Sequence, residues 1–204
     1  MKTECAVIVF AKAPVPGYAK TRLIPALGPA GAAALATRML HETLARAAEA
    51  RIGPVELCCA PDTANPVLME AARSYGATLT SQGEGDLGHR MHRALARGLQ
   101  VASSALVIGT DCPGLGVREL RAAAQYLADH RAVFAPAADG GYVLVGMSSL
   151  YPALFEDIAW STDKVMSQTR ARLETLGLVA AELPVMHDVD TAEDLAHVPQ
   201  EWLP

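Results

Sequence analysis

Short apolar runs alternate with helical stretches along the chain, and this order constrains the fold more than any other feature. The run 6–11 contains only apolar side chains, and the runs 55–60 and 105–109 are mostly apolar. Such runs are typical of strands that are covered on both faces of a sheet. Because helical stretches separate the strands, we expect an α/β fold of three α/β/α layers with a mostly parallel sheet.

Apolar residues at helical spacing predict helices over 29–51, 67–75, 117–130 and 161–176, with another that enters from the glycine-rich segment 82–88. The strand predicted at 142–146 follows the strand at 132–135 too closely for a helical crossover, so it should be antiparallel. A last strand is expected at 179–183. A capped helix should begin at Thr191.

Length and composition limit the class of protein. The chain has 204 residues, 51% hydrophobic and 19% charged, which predicts one globular domain over 1–204. A net charge of −5 disfavours a nucleic-acid partner or an anionic membrane surface. The apolar runs are strand-sized and no signal peptide is evident, so we expect no membrane span and a cytoplasmic location. The oligomeric state is left open.

The segment 10–23 follows the first strand and therefore lies where open α/β sheets bind ligands. Pro16 and Gly17 bend it, and Lys12, Lys20 and Arg22 concentrate positive charge on it. Three cations on a restricted loop predict a phosphate clamp. The alternative is a solvated turn with ordinary surface charges.

The same segment lacks two well-known phosphate-binding motifs. A Walker A loop needs a glycine directly before its lysine, but Tyr18 and Ala19 stand between Gly17 and Lys20. No G-x-G-x-x-G sequence opens the following helix either. A phosphate would therefore be held mainly by side-chain cations.

Asp111 emerges at the end of the strand predicted at 105–109 and is the strongest acidic candidate. Mg²⁺ typically takes one or two carboxylates and completes its shell with water and phosphate oxygens. Asp188 and Asp190 form a second acidic site, and either could complete a metal site with Asp111. As alternatives, Asp111 could cap a helix or a turn, and Asp190 could cap the helix expected from Thr191.

Two glycine-rich turns could admit a ligand. In the first, Asp139 precedes Gly140 and Gly141, which would permit close approach of a ligand while Asp139 faces the site. A plain hairpin turn explains it equally well. In the second turn, 83–88, the glycines could let a base or sugar reach the backbone. There Asp86 could instead cap the next helix.

The four cysteines show no C-x-x-C spacing. Cys5, Cys58 and Cys59 lie in or beside predicted strands and should act as small buried hydrophobes. Cys112 follows Asp111 at a strand end, which leaves a redox role as a further hypothesis.

Five motifs together resemble bacterial GT-A-fold (nucleotide-diphospho-sugar transferase-like) proteins, in particular the glycosyltransferase-like family called radical-SAM/selenodomain-associated transferase 1. They span nearly the whole chain in the right order: 12–23, 85–88, 110–113, 139–142 and 188–191. The chain is more distantly similar to molybdenum-cofactor guanylyltransferase and 2-phospholactate guanylyltransferase.

The resemblance implies roles for individual residues. Phosphate contacts would come from Lys12, Lys20 and Arg22, with Pro16 and Gly17 in the same binding loop, and Lys20 and Arg22 would take part in catalysis. Mg²⁺ or Mn²⁺ would bind Asp111, with Asp190 as its second ligand. Asp139 would face the sugar or the acceptor and act in catalysis. The remaining nucleotide- or substrate-binding positions would be Gly85, Asp86, Gly88, Gly140 and Gly141.

This implied site predicts a metal-dependent transferase that uses a nucleotide donor and a small-molecule acceptor. Glycosyl transfer from a nucleotide-diphospho-sugar is the leading hypothesis. Nucleotidyl transfer from a nucleoside triphosphate to a small phosphorylated acceptor is the alternative, because both reactions use one cleft. A non-catalytic nucleotide-binding module is the third. The Asp111-Cys112-Pro113 sequence lacks the Asp-x-Asp triplet of many sugar transferases.

Overall fold

The computed structural model describes residues 4–203 and contains one seven-stranded sheet with helices on both faces. The strands are β1 (Cys5–Lys12), β2 (Val55–Ala60), β3 (Thr78–Ser81), β4 (Ser104–Gly109), β5 (Ala132–Pro136), β6 (Tyr142–Met147) and β7 (Ala180–Glu182). The α-helices are α1 (Ile24–Ala50), α2 (Pro66–Tyr75), α3 (Leu87–Val101), α4 (Val117–Asp129) and α5 (Val165–Thr175).

The strand order is β3-β2-β1-β4-β6-β5-β7. Only β6 runs antiparallel to its neighbours β4 and β5, and the other pairs are parallel. The expected α/β/α fold with one antiparallel strand is therefore confirmed. Chain order reverses between β1 and β4, and their carboxyl ends form the crevice where such sheets bind ligands.

Alternate residues of the central strands bury themselves in two different cores. Val7 and Val9 face the core that α1, α2 and α4 cover, whereas Ile8 faces the core under α3 and α5. This two-sided burial explains why β1 reads as a continuous apolar run rather than an alternating one. Side chains therefore pack against both faces of the central strands, and this packing holds in place the strand ends from which the loops begin.

Helix α1 begins earlier than the sequence predicts. The expected start was residue 29, but helical structure begins at Ile24 and is interrupted at Gly28, whose φ of 69° is left-handed. Pro29 opens the regular part of the helix beyond this kink, where a proline without an N–H is tolerated. The predicted helix from residue 29 is therefore correct for the regular part of α1, and the turn before Gly28 was not predicted.

The expectation that no segment is long and apolar enough to span a membrane needs correction. The helical stretch Thr21–Ala50 meets that test by length and composition, because its many alanines raise its mean hydropathy. Core helices can meet the same test. In this structure one stripe of α1, including Leu35, Leu40 and Leu44, is fully buried.

The helix expected from Thr191 is absent and a short 3-10 helix, Glu193–His197, takes its place. The N-cap of this 3-10 helix is Ala192, and the carboxylate of Asp194 in its first turn accepts hydrogen bonds from the backbone N–H groups of Asp190 and Thr191 and from the Thr191 hydroxyl. Asp190 therefore does not cap a helix. Similarly, regular helix α5 begins at Val165 and not at 161.

The C-terminal segment packs against the first half of α1 through a small separate core. Val189, Val198 and Trp202 are buried there against the helix residues Leu35 and Met39. The Trp202 ring also lies 5.9 Å and 5.3 Å from the guanidinium carbons of Arg38 and Arg46. This packing ties residues 188–190 to the start of α1.

Replacing Trp202 with alanine should lower the free energy of unfolding by about 3–5 kcal/mol, because the change leaves a cavity and removes the ring beneath two guanidinium groups. Urea denaturation followed by circular dichroism measures the change. Trp202→Phe, which keeps an aromatic ring, should lose much less. Equal stability of the alanine variant and the wild type would contradict this account.

Candidate functional site

Lys20 lies at the centre of the crevice between β1 and β4. Its Nζ is 2.8 Å from Asp111 Oδ1 and 3.1 Å from Asp190 Oδ1, and it donates a hydrogen bond to the carbonyl oxygen of Val189. The Lys20 side chain is only 8% exposed, whereas the side chains of Asp111 and Asp190 are 47% and 46% exposed. The expected convergence of Lys20 with both aspartates is therefore present.

The charge of Lys20 is maintained despite its burial. Desolvation by itself would lower the pKa of the ammonium, but attraction to Asp111 and then to Asp190 outweighs it, so that the pKa is raised above its usual value. Lys20 is therefore a fixed positive charge over the whole physiological pH range. Its backbone is left-handed, with φ 47°, at the residue before the 3-10 helix Thr21–Leu23.

The segment 188–190 is held against the end of β4 by Val189. This side chain is fully buried, and its backbone N–H donates a 2.8 Å hydrogen bond to the carbonyl oxygen of Asp111. The same residue's carbonyl accepts from Lys20. Val189 thus places Asp188 and Asp190 on either side of a buried anchor.

Several carboxylates lie around the single buried ammonium of Lys20. Burial raises the pKa of Asp188, and repulsion from Asp139, Asp190 and Asp111 raises it further. Lys20 is the cation that contacts Asp111 and Asp190 directly within residues 4–203. A surplus of negative charge therefore remains beside Lys20.

Lys12 and Arg22 are exposed on the same segment of the chain as Lys20. Lys12 ends β1, and Arg22 lies in the 3-10 helix Thr21–Leu23. Neither side chain forms an ion pair within the described part of the chain, so both are free to meet an anion. Pro16 and Gly17 are exposed in the intervening loop, which is short and returns to the site at Lys20.

Two arginines of α3 shape the glycine-rich loop before that helix. Arg93 Nη2 donates to the carbonyl oxygens of Gln82, at 2.9 Å, and Glu84, and Arg90 Nε donates to that of Gly85 at 2.8 Å. Gly85 itself is exposed. The loop is therefore fixed by side chains that the sequence analysis did not single out.

Asp86 is the N-cap of α3. Its Oδ1 accepts from the backbone N–H of His89 at 2.8 Å and lies 2.7 Å from the His89 ring. These hydrogen bonds lower the pKa of Asp86, and the one from the His89 backbone has the largest effect. The capping alternative for Asp86 is thus present, and its role in nucleotide binding stays a prediction.

The two glycines at 88 and 140 have a packing reason for their small size. A Cβ on Gly88 would lie 2.7 Å from the Trp160 ring, and one on Gly140 would overlap the carbonyl oxygen of Asp163. Gly140 also has a left-handed φ of 91°. Both residues therefore bring structural elements together, and their role in nucleotide or substrate binding stays a prediction.

Asp139 lies in the turn between β5 and β6. Its Oδ1 accepts a hydrogen bond from the backbone N–H of Gly141 at 2.8 Å. This bond is consistent with the plain hairpin turn that the sequence analysis gave as the alternative. The Asp139 side chain also lines a cavity of about 160 Å³ together with Asp188 and Tyr142. Asp139 is thus in reach of a ligand in that cavity.

Cys112 is buried, with its Sγ 3.8 Å from the sulfur of Met186. Burial raises the pKa of this thiol. A protonated and shielded thiol is a poor nucleophile, so this environment gives no support to a redox role.

Asp111 and Asp190 carry oxygen donors of the kind that Mg²⁺ and Mn²⁺ take in proteins, and their role as metal ligands stays a prediction. Both offer carboxylate oxygens to one shared cation, since both contact the Lys20 ammonium. Within residues 4–203 no three His, Cys, Asp or Glu side chains cluster as a complete metal-binding set. Two carboxylates suffice for Mg²⁺ when phosphate and water supply the remaining oxygens.

The family of the chain is shown by its match over residues 43–162 to a group described as uncharacterized protein conserved in bacteria, DUF2064. The chain belongs to this family. No curated protein matches the chain significantly.

A solved structure from Desulfovibrio desulfuricans G20, described as a candidate nucleotide-diphospho-sugar transferase, is similar to this DUF2064 protein. It shares 29% identity with a TM-score of 0.86, over 95% of this chain and 85% of that chain. The expected GT-A-like relationship and the expected class of enzyme, a transferase, are confirmed at this level.

Two more distant structures share the fold alone. A cytidylyltransferase from Leptospira borgpetersenii is 15% identical with a TM-score of 0.64, over 98% of this chain and 90% of that chain. Glucosyl-3-phosphoglycerate synthase from Mycobacterium tuberculosis, solved with Mn²⁺ and UDP, is 11% identical with a TM-score of 0.55, over 95% of this chain and 75% of that chain. The fold therefore occurs in both nucleotidyl- and glycosyltransferases.

Replacing Asp188 with asparagine should stabilise the metal-free protein at pH 7. The wild type must keep this carboxylate ionised among like charges, and its raised pKa means that stability falls as the pH rises through that pKa. The neutral amide of the variant removes this penalty. Thermal unfolding in EDTA should give a higher Tm for the variant at pH 7.

The difference in Tm should shrink below the ordinary carboxyl pKa of 3.8, where Asp188 is protonated in both the folded and unfolded states. Asp129→Asn, an exposed change at the end of α4, is the matched control and should show no such pH dependence. A Tm difference independent of pH would contradict the electrostatic explanation.

Proposed function

We propose that this DUF2064 protein is a metal-dependent transferase that moves a glycosyl group from a nucleotide-diphospho-sugar to the hydroxyl of a small acceptor. The observation that supports it most is the contact of Lys20 with both Asp111 and Asp190 at the β1–β4 crevice. A buried cation and two half-exposed carboxylates at that crevice suit a diphosphate with its metal ion.

The donor diphosphate would be held from the β1 side. Lys20 supplies a fixed charge, and Lys12 and Arg22 supply exposed charges that are free to pair with phosphate oxygens. Arg22 can bind two oxygens with its planar guanidinium, whereas a lysine acts as a point charge. Charge on the departing diphosphate would be stabilised by these three side chains.

Asp111 and Asp190 would hold Mg²⁺ or Mn²⁺. When bound, the ion would supply Lewis-acid stabilisation of the phosphate oxygens. The carboxylates around Asp188 would repel a polyphosphate, and a divalent ion between them and the phosphates would reduce this repulsion.

Asp139 would accept the proton of the acceptor hydroxyl. The acceptor oxygen forms a bond to the anomeric carbon as the bond from that carbon to the diphosphate breaks, and the electron pair leaves with the diphosphate. Asp139 is exposed and lines the cavity beside the site, so it can reach such a hydroxyl.

Nucleotidyl transfer is the second candidate, and the similarity to a cytidylyltransferase supports it. The same cations would then stabilise charge on an attacked α-phosphate, with pyrophosphate as the leaving group.

A single domain over 1–204 and a cytoplasmic location stay predictions.

The products distinguish the two reactions. The full chain should be incubated with nucleotide sugars or with nucleoside triphosphates, each with Mn²⁺ or Mg²⁺ and a mixture of small hydroxylated acceptors. Release of a nucleoside diphosphate indicates glycosyl transfer, and release of pyrophosphate indicates nucleotidyl transfer. We expect the former, and we expect EDTA to abolish it.

Donor binding without turnover, unchanged in Asp111→Ala and in EDTA, would instead indicate a non-catalytic nucleotide-binding module. Thermal shifts with each nucleotide measure that binding directly. The assay therefore returns a distinct pattern for each of the three hypotheses.

Asp111→Asn and Lys20→Gln should each lower kcat/KM by roughly 10²–10³-fold, since each removes a charge that stabilises the leaving group. Steady-state kinetics with saturating metal measure the effect. Asp129→Asn and Arg131→Gln, which change exposed residues outside the site, are the matched controls and should retain activity. Full activity of either site variant would exclude the proposed charge arrangement.

A further inference from the structure

A small cavity lies next to the proposed diphosphate site, and its lining differs from that site in the residues that it contains. Its volume is about 160 Å³. This is smaller than the roughly 300–1,000 Å³ of pockets that enclose a whole drug-sized ligand. The cavity can therefore hold one ring of a ligand, while the rest of a nucleotide donor lies outside it.

Two aromatic rings, those of Tyr142 and Trp160, form part of the cavity wall. The rings of Tyr142 and Trp160 meet edge to face, with centroids 6.4 Å apart, and Tyr142 packs in the same manner against Phe134 at 5.3 Å. Trp160 in turn sits so close to Gly88 that a Cβ there would lie 2.7 Å from its ring. Because the Tyr142 and Trp160 rings are nearly perpendicular, they form an aromatic corner that suits the apolar face and edge of a sugar or cyclitol ring.

The cavity lining contains both hydrogen-bond acceptors and a donor, which are the groups that bind the hydroxyls of a ligand. Asp139 and Asp188 are acceptors, and the Tyr142 hydroxyl is a donor whose protein partner is the weakly accepting sulfur of Met91 at 4.0 Å. Burial raises the pKa of Tyr142, so this hydroxyl stays protonated. A ligand hydroxyl would give Tyr142 a better partner than it has.

Positive charge is missing from this lining. The cavity's described lining residues include no Lys, Arg or His, and they include two aspartates. A phosphate in this space would face Asp139 and Asp188 with no cation to pair with. The cations of the proposed diphosphate site lie instead at the end of β1 and in the loop that follows it, at Lys12, Lys20 and Arg22.

We propose that the acceptor of this transferase is a neutral, polyhydroxylated ring that enters the cavity between Trp160 and Asp188, and that acceptors phosphorylated on that ring are excluded. The inference rests on the proposed function and narrows its substrate class. The acceptor hydroxyl then lies beside Asp139, and the ring packs into the corner between Tyr142 and Trp160.

Paired ligands test the exclusion of phosphate. The probes are glucose and glucose 6-phosphate, ribose and ribose 5-phosphate, and myo-inositol and its 1-phosphate, first as ligands alone by saturation-transfer NMR. We expect the neutral member of at least one pair to bind and its phosphate to bind at least about tenfold more weakly. Stronger binding of the phosphate in every pair, or no binding by any neutral ring, would overturn the proposal.

Tyr142→Phe tests the cavity itself, because it removes one hydroxyl and keeps the ring. The KM for the neutral acceptor, or its Kd when no turnover occurs, should rise about tenfold. The donor's thermal shift should not change. Tyr126→Phe on the exposed side of α4 is the matched control and should alter neither value. An equal loss of donor and acceptor binding in Tyr142→Phe would indicate a merely structural role and overturn the inference.

The two proposals fail in different ways. Binding of neutral rings that Tyr142→Phe weakens, without any transfer from a nucleotide donor, would support the cavity and contradict the proposed function. Transfer to phosphorylated rings alone would support the proposed function and contradict the cavity's assignment.

Discussion

The site depends on one ion-pair network, in which the buried Lys20 ammonium contacts the half-exposed carboxylates of Asp111 and Asp190. A charge removed from water is tolerated only when partners compensate for the lost hydration, and here two carboxylates and the carbonyl of Val189 do so. The network links the loop after β1, the end of β4 and the segment before the C-terminal 3-10 helix. Three parts of the chain far apart in sequence are thereby held at one point.

The same network leaves the crevice with more negative than positive charge. Asp139 and Asp188 lie near the paired aspartates, and burial first, then repulsion from these neighbours, raises the pKa of Asp188. A polyphosphate can bind beside such a surface only with further cations, which the exposed Lys12 and Arg22 and a divalent ion would provide. The carboxylates that lie farther from Lys20 face the small cavity, where hydroxyl groups and not phosphates would be their natural partners.

Packing far from the crevice holds this arrangement in place. Trp202 and Val198 bury the C-terminal segment against α1, and Val189 extends this core to the residues that contact Lys20. On the other side of the sheet, Gly88 and Gly140 allow Trp160 and the segment at Asp163 to approach α3 and the β5–β6 turn closely. The glycines read from the sequence as openings for a ligand are thus partly the means by which the cavity walls are assembled.

The sequence by itself determined the fold class, the antiparallel β6 and the residues that meet at the crevice, because continuous apolar runs, connection lengths and charged residues at strand ends are local features. Tertiary structure alone decided that Lys20 is buried and paired, that Asp194 accepts a hydrogen bond from the backbone N–H of Asp190, and that Arg93 and Arg90 shape the loop at Gly85. It also decided that Asp188 and Tyr142 share a cavity. Each of these depends on contacts between residues distant in sequence, whose burial and partners are set only when the sheet brings them together.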